Sequence, residues 1–157
     1  GCQMGKINMQ KVIIGGLIAG VVLNVIDTVL YGVVLKEQMA AAMTAVNKPP
    51  MSNAQIPWFV FLDFVFGVFL VWVYAAMRPR FGAGPGTAIK AGIVAWFATG
   101  LMPALFMWPA ALPLPHNLTI ITTVAFLIGA PLATVIGAKF YTEEAGVGAG
   151  MGAGARM

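Results

Sequence analysis

KVIIGGLIAGVVLNVIDTVLYGVVL, residues 11–35, decides the fold, because after Lys11 its only charged side chain is Asp27. A bilayer core takes about 20 mostly apolar residues as one helical span, and this stretch meets that length with a carboxylate inside it. Three more windows have the same character, so spans are expected at 12–35, 57–77, 88–109 and 117–140. Composition agrees: 60% of the chain is hydrophobic and 9% charged, against roughly 25% charged residues in a soluble domain. A backbone in lipid must satisfy its own hydrogen bonds, and nothing here alternates over ten residues as barrel strands do. The expected fold is therefore all-α, a polytopic membrane protein built as a four-transmembrane-helix bundle. The membrane domain spans 1–142, and the Gly- and Ala-rich segment 143–157 is expected to be a flexible tail. Span one is too long for a signal-peptide core and is expected to be retained.

Charge sets the expected orientation. Lys6, Lys11, Arg78, Arg80, Lys90, Lys139 and Arg156 flank one side of the spans, while only Lys36 and Lys48 lie in the loop after span one. The positive-inside rule then puts both termini and the middle loop in the cytoplasm. The formal charge of +4 is accounted for by this orientation and does not call for a nucleic-acid partner. Arg78 and Arg80, in RPRFGAGPG, are expected among anionic lipid head groups; the loop lacks the GxxxxGK[ST] and GxGxxG phosphate patterns. In the first outer loop, Met39, Met43 and Val46 recur at helical spacing, which predicts a short surface helix over 37–47 stopped by Pro49 and Pro50.

Membrane helices associate through close packing of small residues and through hydrogen bonds. Gly16 and Gly20 form such a seam in span one, and Gly129, Ala133 and Gly137 form another in span four. Continuing the Gly16–Gly20 stripe outward by threes and fours gives Asn24, Asp27, Thr28 and Tyr31. Asp27 is thus expected to face the bundle interior, as intramembrane carboxylates nearly always do. Counting at 1.5 Å per residue puts Asp27 and Asp63 both about 9 to 12 Å below the outer face. Thr122 and Thr123 enter the same layer from span four, and Pro103 is expected to break span three near that height. A carboxylate at helix mid-depth costs roughly 2.5 to 3.5 kcal/mol, and two facing ones repel. At least one of the pair is therefore expected to hold a proton, or to share a proton or cation with the other. Two readings stay open: hydrogen-bonded glue between spans one and two, or a proton or cation site.

No nucleophile stands beside a base and no hydrolase or metalloprotease signature occurs, so the chain is not expected to be an enzyme. No cofactor is expected. His116 is the only histidine and Cys2 the only cysteine, which leaves no bis-His haem site and no cysteine metal cluster. Met39, Met43, Met51, Met102 and Met107 with His116 would suit Cu(I), but methionine is also an ordinary core filler. Trp58 and Trp108 read as interface anchors, and Trp72 and Trp96 as deeper packing residues beside which a quinone or pigment could stack.

The N-terminal KVIIGGLIAGVVLNVIDTVLYG, the loop motif MAAAM and YAAMRPRFGAGP after span two resemble a group of small, uncharacterised bacterial four-helix integral membrane proteins. That resemblance implies the architecture and a bacterial inner-membrane location, and it assigns no functional residue. The function expected from the sequence is a structural or accessory subunit that packs against lipid and against another membrane protein or its own copies. The alternative is a proton- or cation-coupled carrier or channel using Asp27 and Asp63.

Overall fold

The computed structural model describes residues 5–143; the expected tail from residue 144 onward, Cys2 and Arg156 lie outside them. Four segments are long and apolar enough to cross a membrane: Met9–Val34, Asn53–Phe81, Pro85–Ala110 and His116–Ala138. No strand occurs among the described residues. The first segment is α1 (Met9–Val29) continued by a wide turn, Leu30–Val34. After α2 (Lys36–Ala45), the second segment is α3 (Ile56–Phe81) with a preceding tight turn. The third joins α4 (Pro85–Trp96) to α5 (Met102–Met107) through a second wide turn, Phe97–Leu101, and the fourth is α6 (His116–Ala138).

Several helix ends fall beyond the apolar windows because caps, not the bilayer, terminate them. Asn8 accepts a hydrogen bond from the Lys11 amide, satisfying one of the donors a helix start leaves free, so α1 begins at Met9 and not at residue 12. Gly82, at φ 85°, takes the left-handed turn that ends α3 after Arg78 and Arg80. The expected loop helix is α2, and it closes with Asn47 at φ 57° just ahead of Pro49. The break expected at Pro103 takes the form of an interruption just before it, between α4 and α5. Span three runs on, because the wide turn Phe97–Leu101, closed by Met102 N–H donating to the Phe97 carbonyl, absorbs the proline, as such turns often do near functional sites.

Consecutive spans run antiparallel around a closed ring: α1 lies against α3 and α6, and α4 lies against α3 and α6. The half of the bundle nearest the termini is tightly packed. Its core joins Val12, Ala19, Leu70, Val71, Ala75, Ala91 and Ala133, mostly small residues that let helix axes approach. Gly16 seats against Val68, Gly20 against Phe64, and Gly67 inserts at the Gly16–Gly20 notch. Gly137 meets α1 backbone to backbone, so a Cβ added to it would lie 2.6 Å from the Gly15 carbonyl oxygen. Gly129 does not belong with this set. A Cβ there would stand 3.5 Å from Ile26 Cδ1, an ordinary contact, so at this height span four has already drawn away from span one.

The opposite half is splayed. Every residue from Met51 to Leu62 is exposed, and Phe106 is 77% exposed. The cause is legible in the side chains: the small stripe of α1 stops at Gly20, and Ile26 and Tyr31 take over its inward face, too bulky for close helix contact. A small cluster of Leu35, Ala42 and Leu118 with Met39 and Leu114 ties α2 to the start of α6. The bundle is thus closed at the termini end and open at the α2 end.

Candidate functional site

Asp27 and Asp63 sit where the tight half gives way to the splayed half. The pairings Gly16–Val68, Gly20–Phe64 and Asn24–Val60 set the register of α1 on α3. In that register Asp27 lies opposite Pro57, six residues from Asp63, about 9 Å along the axis. This offset separates the two Cα positions and not the carboxyl groups. The two side chains nonetheless meet, within hydrogen-bonding reach of each other. Side chains lean toward the N-terminus of their own helix, and in this antiparallel pair Asp27 leans down and Asp63 leans up, which narrows the gap. Two carboxylates offer only acceptors, so this contact needs a proton on one of them.

The neighbouring polar groups hold the pair in place. Asn24 Nδ2 donates to the Gly20 carbonyl at 2.9 Å and reaches the Val60 carbonyl at 3.5 Å, strapping α1 to α3 one turn below Asp27. Tyr31, one turn above Asp27 on the same face, is half-buried. Thr28 is corrected: it is exposed and shares no hydrogen bond with the cluster among the described residues, since one step along a helix turns it about 100° off the Asp27 face. No Lys or Arg is at hand. The single ion pair among the described residues, Arg78 with Glu143 at 4.0 Å, is at the far end of the bundle.

Two adjoining hollows lead to Asp27. The inner one, about 100 Å³, lies between α1 and α6 and is lined by Asp27, Ile26, Tyr31, Thr122, Phe126 and Gly129. The outer one is an open cleft of about 270 Å³ between α5 and α6, lined by Tyr31, Pro103, Met107, Trp108, Leu114, His116, Thr119, Thr122, Thr123 and Phe126. Tyr31, Thr122 and Phe126 border both and form the junction. The loose fit at Gly129 and the wide turn before Pro103 are what make room for them. Thr122 spends its hydroxyl proton on the Leu118 carbonyl at 2.9 Å, which leaves oxygen lone pairs toward the hollow. Thr123 contributes its carbonyl, which accepts from Trp96 Nε1 at 2.9 Å and pins span three to span four at the cleft floor.

Residues outside the cluster expected from sequence shape the mouth. His116 stacks on Trp108, ring centres 4.0 Å apart and 15° from parallel, with Nε2 at 2.8 Å from the Trp108 carbonyl. Phe126 packs on Phe66 with centroids 5.5 Å apart. Of the copper set, Met107 lines the cleft, Met39 packs with Leu35 and Leu118, and Met51 is exposed. Among the described residues no three His, Cys, Asp or Glu come together.

Arg78 is corrected too. Its guanidinium lies 5.2 Å from the Tyr141 ring centre and 5.9 Å from that of Tyr74, a cation–π nest backed by Glu143, whereas Arg80 is exposed. Nothing in the one-dimensional pattern places Tyr141, past the last span, over Arg78.

These features define a multi-pass α-helical membrane protein with a mainly apolar cleft adjoining a hollow that ends on Asp27. Comparison of the chain with protein-family models, with curated proteins and with solved structures returns no match.

Proposed function

We propose that this chain is a multi-pass protein of a bacterial inner membrane, with both termini in the cytoplasm, that takes up and releases a proton or small cation at Asp27 and Asp63. One observation carries the reading: Asp27, within hydrogen-bonding reach of Asp63, borders a hollow that shares the lining residues Tyr31, Thr122 and Phe126 with an open cleft. Sequence alone ranks the accessory-subunit reading first, and the common lining by Tyr31, Thr122 and Phe126 reverses that order. Because glycine packing closes the termini half, the site faces the α2 end, the periplasmic side by the charge bias. A carrier of this kind alternates by loosening the Gly15–Gly137 and Gly16–Val68 contacts.

The test is flux. Protein in liposomes, given a pH gradient or a sodium or potassium gradient, is expected to discharge it. Asp27→Asn and Asp63→Asn are expected to stop the discharge while circular dichroism still reports a folded helical protein. Wild-type vesicles no leakier than empty ones under every gradient would remove the carrier reading.

The accessory reading keeps one specific support. The start of α3, with Trp58 at 62% and Phe61 at 57% exposed, turns a broad apolar face away from this chain, as a helix awaiting a partner subunit or a second copy would. Gentle-detergent purification tests it by the polypeptides that travel with the chain.

A further inference from the structure

We propose that the cleft binds a small organic monocation with an aromatic or aliphatic body, its charged head in the inner hollow against Asp27. This rests on the carboxyl pair being a working ion site and names the class of ligand that site would take.

The cleft is shaped for such a body. Its walls are Trp108, His116, Tyr31, Phe126 and Met107, with hydroxyl oxygens from Thr119 and Thr122 as the interspersed polar groups. Together the hollows, about 270 and 100 Å³, sit at the small end of the range for organic ligands. Aromatic faces attract cations, and no Lys, Arg or Glu lines either hollow. Among the described residues, the only titratable groups facing Asp27 are Asp63 from α3 and Tyr31 from α1; α6 presents Thr122, Ala125, Phe126 and Gly129, and His116 stands at the mouth. An anion would meet a carboxyl pair with no counter-charge. A hydrated inorganic ion would gain nothing from the aromatic walls, which an organic cation would cover.

Charge balance then links ligand and proton. With one proton shared, the pair carries a single negative charge. A monocation neutralises it, and so does a second proton, so the two compete and cation binding weakens as pH falls.

The probe is benzyltrimethylammonium, with neopentylbenzene, in which carbon replaces nitrogen, as the uncharged match. Binding to the purified full chain in detergent is read by calorimetry and by Trp fluorescence. The cation is expected to bind at least tenfold more tightly than the neutral match and to lose at least tenfold in affinity on Asp27→Asn. Each unit fall in pH below the midpoint of competition is expected to cost about tenfold more. Thr122→Phe, which plugs the junction and leaves the carboxyl pair untouched, is expected to weaken the cation similarly and serves where Asp27→Asn does not fold. Equal binding of the two probes, or unchanged cation affinity in folded Thr122→Phe, overturns the proposal. Proton uptake by the pair on a pH jump, together with no cation binding, would sink this inference alone. Absence of both would sink the ion-site reading beneath it.

Discussion

Gly129 and Gly137 stand two turns apart on α6, both buried, and a sequence pattern treats them as one stripe. The structure separates them, and replacing each by alanine measures by how much. At Gly137 the new methyl would lie 2.6 Å from the Gly15 carbonyl oxygen and 2.9 Å from Ala19 Cβ and Val71 Cγ2. Ordinary contact begins near 3.4 Å, so α1 and α6 must part by roughly 0.8 Å against a neighbour that is backbone and cannot rotate aside. Overpacking of this kind costs about 1–3 kcal/mol. At Gly129 the methyl meets Ile26 Cδ1 at 3.5 Å, the end of a flexible side chain, and alanine gains up to about 1 kcal/mol of helix propensity. Gly137→Ala is therefore expected to destabilise by about 2 kcal/mol and Gly129→Ala to be neutral or stabilising. The assay is the midpoint of unfolding by a denaturing detergent titrated into mild micelles, followed by circular dichroism. Equal losses at the two sites would refute the division of the bundle into a tight and a splayed half.

Trp96→Phe removes the donor to the Thr123 carbonyl and is expected to cost about 0.6 kcal/mol, at most roughly 1.7, in the same titration; an unshifted midpoint would mean that the cleft floor is not pinned there. Arg78→Ala is expected to lower stability by about 1 kcal/mol through loss of the Tyr74 and Tyr141 faces, with Arg78→Lys recovering only part because an ammonium lacks the planar stack. If Arg80→Ala, at an exposed position, does the same damage, the nest is not the cause. Thr28→Ala is expected to stay within about 0.5 kcal/mol of the parent, while Asn24→Leu loses the strap between α1 and α3 and broadens the spin-label distance distribution between Val21 and Leu62. A broadened distribution in Thr28→Ala as well would place Thr28 back in the cluster.

The four spans were legible because lipid imposes one length and one polarity on every crossing, and 24-residue windows such as 12–35 meet it without tertiary information. The meeting of Asp27 and Asp63 was legible for a related reason: Asp27 lies on the small-residue face, where a buried carboxyl has company. Its geometry was not. Counting depth from span ends assumes straight helices in flush register, whereas the register of α1 on α3 is set by the Gly16, Gly20 and Gly67 notches, and the side chains close the offset by leaning. The cleft was hidden because it arises from where small stripes end and from a wide turn at Phe97–Leu101, features of three helices at once. Thr28 was misassigned because a pattern of threes and fours admits two adjacent residues to one face. Arg78 was misassigned because Tyr141 approaches it only through the fold.

The most direct measurement of the central claim is the infrared spectrum of protein labelled with ¹³C-aspartate, taken in lipid at neutral pH. A protonated carboxyl band is expected, and it should shift or vanish in Asp27→Asn and in Asp63→Asn alike, since each substitution removes one of the two groups that share the proton. A spectrum showing only ionised aspartate in the parent protein, or a protonated band untouched by either substitution, would contradict it.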